Sequence, residues 1–229
     1  MSATGPSPWV HAAIGLLDVR RNDRLCVCDV DLGTVRDLAT RVGRDGELLA
    51  VLRSAEQARE LAALDLPQVT VLAHPVLGGE RFGTFDALLF APRCGPLPTV
   101  GALVDLARAN LRPGGRIVFD VPGSRMVPDL LAALPEAGLD PERGAPWCGI
   151  ADDTLAEALR NGGLRNVNSV LGAHLVHAAC AADLVAQFAV ELALGDDELR
   201  QMAHALVRQK GTTEAIDALV HRTRVLALR

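Results

Sequence analysis

What most limits the folds open to this chain is an alternation between Arg24 and Pro122, where short apolar runs take turns with stretches of helical spacing. The runs RLCVCDV, GELLAVL, QVTVLAH, FDALLFAP and RIVFDVP read as five strands apolar on both faces, as strands of a buried parallel sheet are. Between them, LGTVRDLATRVG, SAEQARELAAL and TVGALVDLARANL read as helices, and WVHAAIGLL as a leading amphipathic helix. Ser54 is placed to cap its helix and Gly43 to end the one before it. Strands joined by helices pair in parallel through right-handed crossovers, so the expected architecture is a doubly wound α/β sheet.

Beyond the fifth strand, DDTLAEALRNGGL predicts a helix, and RNVNSVLGAHLVHA a sixth strand bent or broken at Gly172. Helical spacing then runs from about Ala181 to Leu219, and RTRVLALR forms a short last strand at 222–229. The 229 residues suit a single domain: core sheet and helices over 8–180, a helical insertion over 181–219, then the last strand. Hydrophobic residues make up 49% of the chain but aromatic ones only 3%, so the core must be built from Leu, Val and Ala.

A net charge of −5 argues against a surface that binds nucleic acid by neutralising phosphates. The basic run RRNDR (Arg20 to Arg24) is short and interrupted, and reads as solvated loop. There is no basic, apolar leader and no run long enough to span a bilayer, so a cytoplasmic protein that does not insert into membranes is expected. The five cysteines form no paired framework. Cys26 and Cys28 share one face of a strand, but nothing nearby completes a tetrahedral metal set. They read as small core hydrophobes, and no metal site is expected.

Several phrases resemble the class I S-adenosylmethionine-dependent methyltransferases that act on small molecules. They are GLLDVRRNDRLCVCDV, GELLAVLRSAEQARELA, FDALLF and, most specifically, ARANLRPGGRIVFDVPG, in which a helix leads through Leu-Arg-Pro-Gly-Gly into the fifth strand. The resemblance covers residues 8 to 180. It implies a Rossmann-like, seven-stranded, mainly parallel sheet whose last strand is antiparallel, with the helical insertion before that strand lying over the pocket mouth. It also implies S-adenosylmethionine as cofactor, held by three local devices.

Each device is altered in this sequence. The family's turn after strand one is roughly Asp-x-Gly-x-Gly-x-Gly. Aligned on Asp29 it reads Asp29, Val30, Asp31, Leu32, Gly33, Thr34, Val35, so only Gly33 of the three glycines remains. The family's acidic residue at the end of strand two, which accepts the ribose hydroxyls, falls on Leu52 with Arg53 beside it; neither can accept such bonds. The aspartate after strand three that meets the adenine amino group falls on His74, which could accept one bond when neutral. Each lost charge-assisted hydrogen bond is worth about 1.5–3 kcal/mol. Losing two or three weakens binding by roughly 4–6 kcal/mol, a factor of about 10³ to 10⁴.

No residue stands out as catalytic. The loop after strand four offers Arg93 and Cys94, but without a positioned base. His174 and His177 have helical spacing in a segment that reads as strand, where they face opposite sides. Asp86 and Asp120 suit structural roles at strand ends at least as well as catalytic ones. The leading expectation is therefore a methyltransferase-fold pseudoenzyme whose Asp29, Asp31, Gly33, Leu52, Arg53 and His74 form a vestigial or altered site. Such a protein would serve as a non-catalytic partner or bind another small ligand. The alternative is an active small-molecule methyltransferase with an atypical cofactor site, in which Asp31 binds the amino group. A nicotinamide enzyme is disfavoured because the turn lacks G-x-G-x-x-G. The partner is then a small molecule or a protein, and homo-oligomerisation stays open, with the C-terminal helices as the expected interface.

Overall fold

The computed structural model describes residues 8–75, 79–92, 97–151, 153–189 and 194–229. Its centre is a seven-stranded sheet in the order β3-β2-β1-β4-β5-β7-β6. A leading helix α1 (Pro8–Leu17) precedes β1 (Arg24–Cys28), α2 (Leu32–Val42), β2 (Glu47–Leu52), α3 (Ala55–Ala62) and β3 (Val69–Ala73). The chain then crosses back through β4 (Phe85–Phe90), α4 (Val100–Asn110) and β5 (Leu111–Pro122). After β5 come α5 (Pro128–Glu136), a 3₁₀ turn over Pro141–Trp147, α6 (Thr154–Asn161) and β6 (Arg165–Ala178). The helices α7 (Ala181–Ala189) and α8 (Asp196–Lys210) follow, then β7 (Ile216–Leu228). The strands β1 to β5 pair in parallel, whereas β7 runs antiparallel to both of its neighbours, β5 and β6.

The two expected helix signals, Ser54 and Gly43, act as written, and Asp31 and Thr99 supply caps that the sequence reading did not assign. Asp31 caps α2, Ser54 caps α3 and Thr99 caps α4, each side chain accepting a first-turn backbone N–H. Gly43 ends α2 at φ 77°, a conformation natural to glycine. Apolar cores fill both faces of the sheet. One gathers Leu25, Val27, Val35, Leu38, Leu89 and Val118 with Phe188 and Leu206 from the last helices. The other gathers Cys26, Cys28, Phe90 and Phe119 with Leu103 and Leu155. In that second core, Phe90 and Phe119 meet edge to face at 6.1 Å. Both cysteines are fully buried, in keeping with their reading as small hydrophobes. The Cys28 thiol is held well above its ordinary pKa by its contact with Cys26 and by burial.

Three elements differ from the sequence reading. The helix α5 has no counterpart in the sequence reading. Pro128 sits at its start, where the missing N–H is harmless, and Pro135 lies in its last turn. The strand β7 starts at Ile216 rather than residue 222, and the helical segment ends at Lys210. Over 216–220, alternate residues Ile216, Ala218 and Val220 are buried, and this stretch pairs with His174–Ala178 of β6. Lastly, β6 runs unbroken through Gly172. The Arg224 guanidinium fills the space that a Cβ at this position would take, so a larger residue here would have to displace it. The helices α7 and α8 pack on each other, on α5 and on the β6/β7 hairpin, and their apolar faces join the main core.

Candidate functional site

In this sheet order the chain winds outward from β1 in both directions. A crevice therefore opens beyond the carboxyl ends of β1 and β4, where doubly wound folds hold their ligands. The altered residues collect at this end. Hydrogen bonding continues one residue past each strand there: Asp29 N–H donates to Val51 O at 2.9 Å, and His74 N–H to Leu52 O at 2.9 Å.

Asp29 has a left-handed backbone, with φ 55°. Its side chain is only 7% exposed and turns toward the end of β2. One carboxylate oxygen accepts the Arg53 backbone N–H at 3.1 Å, and the other accepts the Arg53 guanidinium at 2.8 Å. Asp29 and Arg53 thus form a closed pair across the mouths of β1 and β2. Leu52, at the aligned acidic position, is fully buried in the main core and faces away from the crevice.

Asp31 points back into its own chain. Its carboxylate accepts the Thr34 backbone N–H at 2.8 Å and the Thr34 hydroxyl at 3.0 Å, which caps α2. Gly33 is buried in the first turn of that helix. Val35, at the third glycine position, is fully buried among the sheet's side chains. His74 donates from Nδ1 to the Pro75 carbonyl at 2.7 Å and meets Phe82 edge-on, which makes Nε2 the acceptor in the neutral ring.

The remaining candidates separate. Arg93 and Cys94 lie outside the described residues. His174 and His177 face opposite sides of β6, as strand geometry requires: His174 contacts Arg224, and His177 contacts Asp217 at 2.5 Å. Asp86 has a structural role, accepting the Arg24 backbone N–H at 2.7 Å and pairing with Arg112 at 2.5 Å. Among the described residues no group of three or more His, Cys, Asp or Glu could hold a metal, and no helix is long and apolar enough to cross a membrane.

The sequence reading did not find a buried ionic cluster on the face of β5, β7 and β6. Asp120 and Arg222 are both fully buried, and their side chains approach at 3.2 Å. Arg222 also donates to the Pro92 carbonyl at 2.8 Å and to the Asp120 carbonyl, tying the end of β4 to β5 and β7. Arg224, one strand repeat further on, lies 3.5 Å from the same carboxylate oxygen and reaches His174. Burial and the neighbouring Arg224 hold the His174 pKa below the usual histidine value. The sequence sign was the pair Arg222 and Arg224 in a strand-like run; register alone places Arg224 opposite Asp120 and Arg222 opposite Pro122, one strand repeat away.

No family model and no curated protein matches the sequence. Solved structures do match along nearly the whole chain. YcgJ from Bacillus subtilis has a TM-score of 0.65 and 10% identity, covering 96% of this chain and 97% of that one. A cyclopropane-fatty-acyl-phospholipid synthase-like protein from Lactobacillus casei has a TM-score of 0.60 and 16% identity, covering 99% and 96%. An S-adenosylmethionine-dependent O-methyltransferase from Thermotoga maritima has a TM-score of 0.54 and 15% identity, covering 100% of this chain and 68% of that one. The chain has the class I S-adenosylmethionine-dependent methyltransferase fold, a Rossmann-like sheet with its last strand inserted antiparallel.

Proposed function

We propose that this chain is a methyltransferase-fold protein that no longer binds S-adenosylmethionine in the ordinary way. It acts as the non-catalytic partner of another protein, or binds a different small ligand in the old crevice. The Asp29–Arg53 pair carries this reading. The ribose hydroxyls of the cofactor need an acceptor at the end of β2. Leu52 is turned into the core, and Arg53 has no acceptor and is held by Asp29. The cofactor carboxylate favours free N–H groups at a helix start, and here Asp31 supplies its own carboxylate to α2. His74 keeps one acceptor, for at most one hydrogen bond. The donor and acceptor set therefore does not fit the cofactor.

Calorimetric titration of the purified protein with S-adenosylmethionine and S-adenosylhomocysteine tests this reading. The expected result is no binding tighter than about millimolar, given a loss of roughly 10³ to 10⁴ from an ordinary micromolar affinity. Micromolar binding of either compound would overturn it in favour of an active enzyme with an altered site.

A further inference from the structure

The two edges of the sheet are unlike. At one end β3 is five residues long and runs into Pro75, the kind of short, proline-flanked edge that resists pairing. At the other end β6 is fourteen residues long and pairs only with β7 among the described strands. From Asn166 to Ala178 it contains no Lys, Arg, Asp, Glu or Pro. It thus lacks the charges and prolines that natural proteins use to block edge-to-edge association. Large exposed apolar side chains also gather on it: Val170 is 54% exposed, Leu171 50% and Leu175 52%. The described apolar residues of α7 and α8, among them Leu184, Val185, Phe188, Met202 and Leu206, lie in the main core.

The sequence of this edge indicates its partner. Val170-Leu171-Gly172-Ala173-His174-Leu175-Val176 reads nearly the same in both directions about Ala173. If a second copy of β6 lies antiparallel beside the first, with the two-fold axis at Ala173, Leu171 faces Leu175 of the other copy twice. Val170 likewise faces Val176 twice, and each His174 faces Gly172 of the other copy, whose side-chain space is taken by that copy's own Arg224 guanidinium. Opposed residues share a face of an antiparallel sheet, so Leu171 and Leu175 would form one apolar ladder on the exposed side. A two-fold interface must be self-complementary, and this segment is. We propose that β6 is a homodimerisation edge, joining two copies into one continuous sheet centred on Ala173. The proposal is independent of whether the crevice binds a cofactor.

Ala173 is exposed, so substitution there does not disturb the core. Sedimentation velocity would be run from low to high micromolar protein on the wild type, on Ala173→Lys, on Ala173→Glu, and on an equimolar mixture of the two variants. The wild type should dimerise with rising concentration. Each variant alone places like charges together at the axis and should raise the dimer dissociation constant at least about tenfold. The mixture should recover dimer, because lysine then meets glutamate. A wild type monomeric throughout, single variants that dimerise normally, or a mixture that stays monomeric would each overturn the proposal.

Discussion

Replacing Asp120 with asparagine should be among the most damaging changes of nearly constant size in this chain. The carboxylate is fully buried between Arg222, itself fully buried, and Arg224, which is 5% exposed. Among the described residues Asp120 is the one carboxylate paired with both guanidinium groups, and removing its charge leaves them close together in the interior. Breaking a buried pair by deleting one partner typically costs about 3–5 kcal/mol, because the remaining charge cannot be rehydrated. Arg222 keeps its bonds to the Pro92 and Asp120 carbonyls, which places the expected loss near the lower end, about 3 kcal/mol. For a domain of this size that corresponds to a fall in Tm of roughly 6–12 °C. Urea unfolding followed by circular dichroism at pH 7.5 would measure it. A triple variant, Asp120→Leu with Arg222→Met and Arg224→Met, should recover much of the loss, since buried ion clusters are often replaceable by apolar packing. A loss below about 1 kcal/mol for Asp120→Asn would show that the cluster is solvated in solution, and would refute the argument.

Two further outcomes follow from the same face of the sheet. Because the His174 pKa is lowered in the folded state, the unfolded chain binds the proton more readily. The stability tied to this group is full above the unfolded value of about 6.5 and is lost as pH falls below it. Urea midpoints compared at pH 7.5 and 5.5 should therefore fall further for the wild type than for His174→Asn; equal falls would contradict the assignment. Gly172→Ala should destabilise by about 1–3 kcal/mol, because the new methyl overlaps a guanidinium held between Asp120 and His174. Thermal unfolding checks this, and an unchanged Tm would mean that Arg224 can move aside freely.

The sheet was legible in the sequence because the inner parallel strands are buried on both faces and the helices α2, α3 and α4 that link them carry their own caps, whereas β3, at the edge, is only partly buried. RLCVC and FDALLF had to be interior strands wherever they lay, and Ser54 and Gly43 mark helix ends by local chemistry alone. That Asp31 and Val35 stand where the resemblance implies glycine, and Leu52 and His74 where it implies acids, was likewise readable one residue at a time. Only the fold could say where the side chains at those positions went. Leu52 and Arg53 are adjacent, and strand alternation sends one into the core and the other to Asp29, 24 residues away in sequence. The extent of β7 was hidden because Ile216 to Val220 becomes strand through pairing with β6, against a helical local pattern. The cluster of Asp120 with Arg222, 102 positions apart, depends wholly on the register of an inserted antiparallel strand. The sequence alone marked the first five strands, the capped helices between them and the residue types standing at the positions the resemblance implies, because those follow from local periodicity and residue chemistry. Tertiary structure decided where those side chains turn, how far β7 extends and which charges share the interior, because cross-strand register is a property of paired segments and of neither one alone.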